Sequence, residues 1–572
     1  MKLTISKSKN ATFLYVQKSY YDKERGVRTS KTVEKLGSLD ALREKLNGED
    51  PIKWAEAYVA RLTKEEQEEK QDVMVKFSPR KEIPKGERRL FNGGYLFLQK
   101  IYHELGLHTL CKEIAKKHKF TFNLDSILSR LIYSRILYPS SKLQTSKQAE
   151  KFFEKPDFNL QHIYRGLEVL TKENDLIQST LYNNSLKISK RNTGVLYYDC
   201  TNFFFEIEQS DGIKQYGISK EHRPNSIVQM GLFMDGDGIP LAFSINDGNT
   251  NEQVTLQPLE QKILDDFKLS KFVVCTDAGL ASTDNRKFND KGQRAFITTQ
   301  SVKQLKKLLK NWALSPDGWK LTNERGVFNI NDIDESKYRD KVFYKERWIN
   351  ENDLEQKLIV TYSIKYRDYQ KSIRDSQVER AQKLIDSKSK ILDKVNANDY
   401  RRFIDKKHLT SDGEIADIST YTINNGVIEQ EAMYDGFYAV CTNLDDDVAT
   451  IISVNSRRWE IEECFRIMKS EFRARPVYLS RNDRIKAHFI TCFLSLVLLR
   501  FVEKRLSGKH TYHDIISTLA DMDFHEIKGD GYAPIYIRTD LTDDLHTAFG
   551  FRTDYEIVTH KQMKNIFKQS KF

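Results

Sequence analysis

The sequence predicts an α/β protein: a mixed five-stranded sheet with helices, interrupted by a β-rich insertion and preceded by an N-terminal β-hairpin and a helical region. Three observations carry this. Apolar runs at residues 194–200, 227–234, 239–245, 272–279 and 294–299 have strand length and are rich in β-branched and aromatic residues, with a helical pattern at 251–267 between the third and fourth. Asp235-Gly236-Asp237-Gly238 joins the second and third runs and is a strong hairpin signal, so the first three strands should be antiparallel. From 301 to about 432 the pattern turns irregular, and Phe437-Tyr438-Ala439-Val440-Cys441 then resumes an apolar strand.

Length and composition set the bounds. A chain of 572 residues with 39% hydrophobic content implies several domains, or one with large insertions, and real cores. Lys and Arg total 92 against 81 acidic residues, giving a net charge of +11. That balance suits a polyanionic partner but is shared by ribosomal, membrane-surface and nucleic-acid proteins. The six cysteines (Cys111, Cys200, Cys275, Cys441, Cys464, Cys492) are scattered, with no C-x-x-C pair or paired His spacing, so neither a zinc module nor a disulfide framework is indicated, and a reducing cytoplasm fits. The start lacks an apolar signal core, and the longest apolar run, 489–499, is broken by Thr491 and Ser495. A soluble protein with no membrane partner is expected.

In chain order, residues 2–36 alternate apolar and polar positions around the turn signal at 22–26, predicting the hairpin. Lys, Glu, Pro and Gly at 64–89 read as a solvated helix end and linker. Helical periodicity runs from 95 to 153; a domain of this kind could dock on DNA, although no recognition helix stands out. Strand-like segments at 341–349 and 357–364 and a basic helical stretch at 365–395 occupy the insertion, and 485–500 reads as a long buried helix.

The candidate chemistry lies on three carboxylates. Asp199 closes the first strand, enclosed by Tyr197, Tyr198 and Phe203 to Phe205, where an unpaired charge is costly. Asp277 closes the fourth, where capping the next turn is the plainer role. Residues 455–469 read as one amphipathic helix with Ile461, Cys464, Phe465 and Met468 on an apolar stripe. At roughly 100° per residue, its Arg458, Glu462 and Lys469 fall within about 40° of one another. An ordinary i,i+4 pair explains Arg458 and Glu462 equally well if the helix is taken alone. Two strand-end aspartates and a helical glutamate are what two-metal phosphoryl transfer needs, because hard divalent ions choose oxygen ligands. The β-β-β-α-β-α-β order with aspartates on the first and fourth strands is that of the ribonuclease H-like fold.

At these residues the sequence resembles the DDE transposases of bacterial insertion sequences, in the branch marked by Tyr-x2-Arg-x3-Glu-x6-Lys. Arg458, Glu462 and Lys469 fit that spacing, whereas the Tyr position holds Asn455. Tyr198-Asp199-Cys200-Thr201 and Thr276-Asp277-Ala278-Gly279 look like the family's two Asp motifs, and 217–224, Gly238-Ile239-Pro240 and Gly248-Asn249-Thr250 are similar to the stretch between them. The resemblance implies catalytic, metal-binding Asp199, Asp277 and Glu462 with two Mg2+ or Mn2+ ions per site. It also implies DNA contacts from Arg458, Lys469, Asn455 and Arg466, and it leaves Trp348 and Tyr434 as candidates for stacking a flipped base. It further implies cutting at terminal inverted repeats, joining of the 3′-hydroxyls to target DNA, double-stranded DNA as partner, a homodimer on paired ends, and a bacterial, cytoplasmic, nucleoid-associated setting. A nuclease or resolvase of the same fold without strand transfer, or an inactive repressor, stays open. The expected division is a hairpin unit (1–63), linker (64–90), helical DNA-binding domain (91–186), first core part (187–300), insertion (301–432), second core part with the Glu helix (433–500) and C-terminal region (501–572).

Overall fold

The computed structural model describes residues 1–8, 11–22, 27–46, 50–69, 75, 78–207, 209–322, 324–387, 398–409 and 418–572. The predicted turn at 22–26 and the end of the predicted helix at 365–395 lie largely outside them. The chain separates into two units.

The smaller unit comprises Met1–Arg89, His525–Pro534 and Asp554–Met563. Lys2–Lys7, Thr12–Asp22 and Val27–Ser38 form an antiparallel sheet, the last two strands being the expected hairpin. Alternation along the middle strand buries Leu14 and Val16. Leu14 packs with Leu42 and Ala55 of the helices Leu39–Lys45 and Pro51–Glu69.

The larger unit holds the core sheet. Its first five strands are β1 (Val195–Phe204), β2 (Ile227–Asp235), β3 (Pro240–Asp247), β4 (Val273–Thr276) and β5 (Ala295–Gln300). They lie in the order β3-β2-β1-β4-β5, with β1, β2 and β3 antiparallel and β1, β4 and β5 parallel. The sheet does not stop at five. β6 (Trp319–Leu321), β7 (Glu324–Phe328), β8 (Phe343–Glu351), β9 (Leu354–Tyr362) and β10 (Phe437–Thr442) extend it to ten strands, in the order β7-β6-β8-β9-β10-β5 onward. The insertion strands thus continue the central sheet, because β10 pairs β5 on one side and β9 on the other. They carry their own core around Trp319, Phe343, Leu358, Val360 and Tyr362.

Helices cover both faces of β1 to β4. On one, α1 (Leu256–Asp266) buries Leu256, Leu259 and Ile263 against Leu196, Tyr198, Phe233 and Val274. On the other lie α2 (Val448–Ser456) and α3 (Trp459–Lys469), with Cys464 against Met234. The predicted single helix is therefore two. Arg457 and Arg458 bond back three residues, to Val454 and Asn455, and this tighter turn breaks the four-residue ladder. The buried helix at 485–500 is α4 (Asn482–Arg505), long enough to cross a bilayer but buried within the protein. Phe489 meets Phe203 of β1 and Phe493 meets Phe243 of β3, each at 4.8 Å between ring centres. Its other side packs into the helical region 95–188, where Ala487 contacts Ile127, Leu131, Ile163 and Leu167. The hydroxyls of Thr491 and Ser495 donate to carbonyls one turn back, which lets these polar residues sit in the core.

Candidate active site

The site begins with strand register. β1 and β4 run parallel and pair Val195 with Val273, Leu196 with Val274 and Tyr197 with Cys275. The same offset carried forward sets Asp199 level with Asp277 on adjacent strands, whose spacing is about 5 Å. The two lie beyond the carboxyl end of β4, where parallel strands part and open a crevice. Asp199 is not at the end of β1, as the sequence suggests, but midway along it. Residues 201–204 continue the strand because they keep pairing with β2. Alternation sends Asp199 to the face of Tyr197, whose hydroxyl donates to the Val454 carbonyl of α2 at 2.8 Å. Tyr198 and Cys200 face α1, near Thr255.

Each aspartate is held by a backbone amide: Asp199 accepts from Cys200 N at 2.7 Å, and Asp277 accepts from Leu280 N at 3.1 Å, capping a short turn. Burial pushes the Asp199 carboxyl up to about 6, and Asp277 adds to the rise against the pull of Lys220 and Arg458. Because the folded value exceeds the unfolded one, ionised Asp199 opposes folding, increasingly from pH 4 to 6 and fully above that. Asp199→Asn should therefore raise ion-free stability at pH 7 by on the order of 1–2 kcal/mol and leave it unchanged near pH 3. Thermal melts across that range check this; equal stability at pH 7 would contradict the cost of burying the Asp199 charge.

The helix α3 supplies the rest. Its apolar face, Ile461, Cys464, Phe465, Ile467 and Met468, is buried. Glu460 pairs with Arg457 at 2.8 Å, and Glu463 with Arg500 at 2.9 Å and Arg466 at 3.2 Å. Glu462 is different: its side chain is 62% exposed, with Arg458 at 4.0 Å. Arg458 and Lys469 both act on the charge of Asp199. Burial, with repulsion from Lys220, lowers Lys469 to about 8, although Asp199 raises it. The structure thus gathers Asp199, Asp277, Arg458 and Lys469, with Glu462 joined through Arg458. Asn455 is 8% exposed, donating to the Tyr438 hydroxyl at 3.0 Å and accepting from Cys275 at 3.7 Å. Arg466 is exposed on Glu463. Trp348 is 43% exposed beneath Lys357, and Tyr434 is half-buried beneath Lys303.

Four further residues belong here that sequence reasoning missed. Lys220 donates to the Cys200 carbonyl at 2.5 Å and pairs with Glu252 at 3.1 Å. Burial lowers it, but Asp199 and Glu252 outweigh that and raise it overall, so it is charged. Glu221 pairs with Arg475 and lies 3.6 Å from Lys469. The charged block at 217–224 was the available signal; its fold-back over β1 was not.

The donor set suits a hard divalent ion. Asp199 and Asp277 bring carboxylate oxygens to one level of adjacent strands, and Glu462 is joined to them through Arg458. Burial holds Cys200 and Cys275 as thiols at about 12, unsuited to a soft-metal site.

Fold and site together define a mixed α/β protein with a paired-aspartate, cation-flanked centre. The sequence model of a family described as a transposase DDE domain matches residues 351–498, less than half of the chain. That segment holds Arg458, Glu462 and Lys469 but neither aspartate. No curated protein matches the chain. Among solved structures, a piggyBac transposase synaptic complex with hairpin DNA is similar at TM-score 0.36 and 8% identity, over 82% of this chain and 87% of that one. A Mos1 transposase paired-end complex with its left transposon end gives TM-score 0.13 and 12% identity, over 41% and 65%.

Proposed function

We propose that the protein is a DDE transposase with a ribonuclease H-like core, encoded by a bacterial insertion sequence, that cuts DNA at its terminal repeats and joins the freed 3′-hydroxyls to target DNA. The register match of Asp199 with Asp277, with the Arg458-Glu462-Lys469 helix laid beside them, carries this reading. The family match over 351–498 supports it.

Asp199, Asp277 and Glu462 would hold two Mg2+ or Mn2+ ions. Such ions, when bound, supply Lewis acidity to the attacking and leaving oxygens of an in-line displacement. The chain's own groups do the remainder. Asp199 and Asp277 are pinned by backbone amides, so their oxygens keep a fixed position in the crevice. Lys220 braces the Cys200 carbonyl beside Asp199 and leaves positive charge next to the crevice. Arg458 and Lys469 offer charge-assisted contacts to phosphates on either side of the cut. Glu221 engages Lys469 and Arg475, and a DNA phosphate competes with it for the same two cations. Cutting and joining two ends calls for a homodimer on paired DNA ends.

The test uses the full-length protein and a DNA fragment spanning the gene's own flanks. Cleavage at the repeat boundaries should occur with Mg2+ or Mn2+ and fail with Ca2+, which tolerates irregular coordination where Mg2+ demands an octahedron. Full cleavage in excess chelator would overturn the reading.

A further inference from the structure

Next to the aspartate site is a cavity of about 340 Å3, formed where residues 139–143 and Tyr164 meet the segment 473–479 and α4. Among the described residues its walls carry Arg135, Lys142, Arg473, Arg475 and His488, and no carboxylate. Arg135 and Lys142 are each 5% exposed. Among the described residues, Lys142 Nζ and Arg135 Nε have no hydrogen-bond partner. The other guanidinium nitrogens of Arg135 donate to the Phe472 and Ser140 carbonyls at 3.0 and 3.2 Å, which fixes that fork in the wall. His488 is bonded to the Ala474 carbonyl at 3.1 Å, and burial keeps it neutral. Dry cations without a counter-charge are costly, and burial with repulsion from Arg135 pulls Lys142 down to about 7. An anion entering the cavity would relieve that cost. Arg475 also pairs with Glu221, so the cavity adjoins the carboxylate centre.

We infer that this cavity is a phosphate-binding site, in which Lys142 and Arg135 grip the phosphate oxygens and Tyr164, Leu143 and Val477 line the space for an organic substituent. The unpartnered Arg135 Nε–H beside the Lys142 ammonium offers two charge-assisted donors to phosphate oxygens. The volume exceeds that of a bare phosphate, which favours an ester. This inference stands on the cavity alone and does not depend on the chemistry proposed for the aspartates.

Calorimetric titration of the full-length protein with inorganic phosphate and, separately, thymidine 5′-monophosphate, at ionic strength held constant with chloride, tests it. Saturable binding is expected, weakened at least about tenfold by Lys142→Met and kept within about threefold by Lys142→Arg. Lys142→Met removes an unpartnered buried charge and should not lower the melting temperature. Arg473→Gln, at an exposed edge, provides a second variant and should weaken binding a few-fold. Tighter binding of the nucleotide identifies an ester as the ligand, and equal binding identifies free phosphate; either supports the site. Heats no greater than those of chloride, or full affinity in Lys142→Met, would overturn it.

Discussion

Asp277→Ala is expected to lower strand cleavage at the element's ends by at least about a thousandfold, on the order of 4 kcal/mol of barrier, while changing DNA affinity by less than about threefold. Asp199→Ala and Glu462→Ala should behave alike. In the proposed function most binding energy comes from Lys and Arg on phosphates, whereas the carboxylates act on the reacting atoms. Asp277 is the sharpest of the three, because its visible structural task, accepting one amide bond from Leu280, is modest. Cleavage and gel-shift assays on the same preparation check it. Near wild-type cutting by Asp277→Ala would assign Asp277 to the turn alone.

Asp235→Ala should destabilise the fold by about 3–5 kcal/mol, the largest stability effect expected here. Asp235 and Arg191 form an ion pair at 2.6 Å with side chains 0% and 1% exposed. Asp235 also accepts the amides of Asp237 and Ile239, closing the hairpin between β2 and β3, where Gly238 takes the left-handed backbone of the turn. Arg191 reaches on to the Ile239 and Pro240 carbonyls and to Ser185. Removing Asp235 strands a buried guanidinium. Urea melts check the size, and the double variant Arg191→Met/Asp235→Leu should recover much of the loss. A single-variant cost below about 1 kcal/mol would mean that water reaches the pair.

Much of the core was legible because buried strands read as unbroken apolar runs and Asp235 to Gly238 is an unambiguous turn. What was hidden is non-local. β10 lies between β9 and β5, so the sheet grows to ten strands through pairings that no local pattern encodes. Asp199 looked terminal because its charge interrupts the apolar run, yet Thr201 to Phe204 still pair with β2. A helical period cannot reveal the tight turn at Arg457 and Arg458, since both ladders keep Ile461, Cys464, Phe465 and Met468 on one side. At the site, the two aspartates and the Arg458-Glu462-Lys469 column were visible as residue types. Lys220, Glu221, Glu252 and Arg475 were not, because their roles come from a loop folding back over β1 and from a chain segment far away in sequence.

In the proposed function Asp199, Asp277 and Glu462 form one centre for hard divalent ions. This is tested most directly by titrating Mn2+ into the full-length protein and following the paramagnetic resonance signal of the free ion. The wild type is predicted to bind Mn2+, and Asp199→Asn, Asp277→Asn and Glu462→Gln each to weaken that binding by at least about tenfold. Mn2+ binding by Asp277→Asn equal to that of the wild type would contradict it.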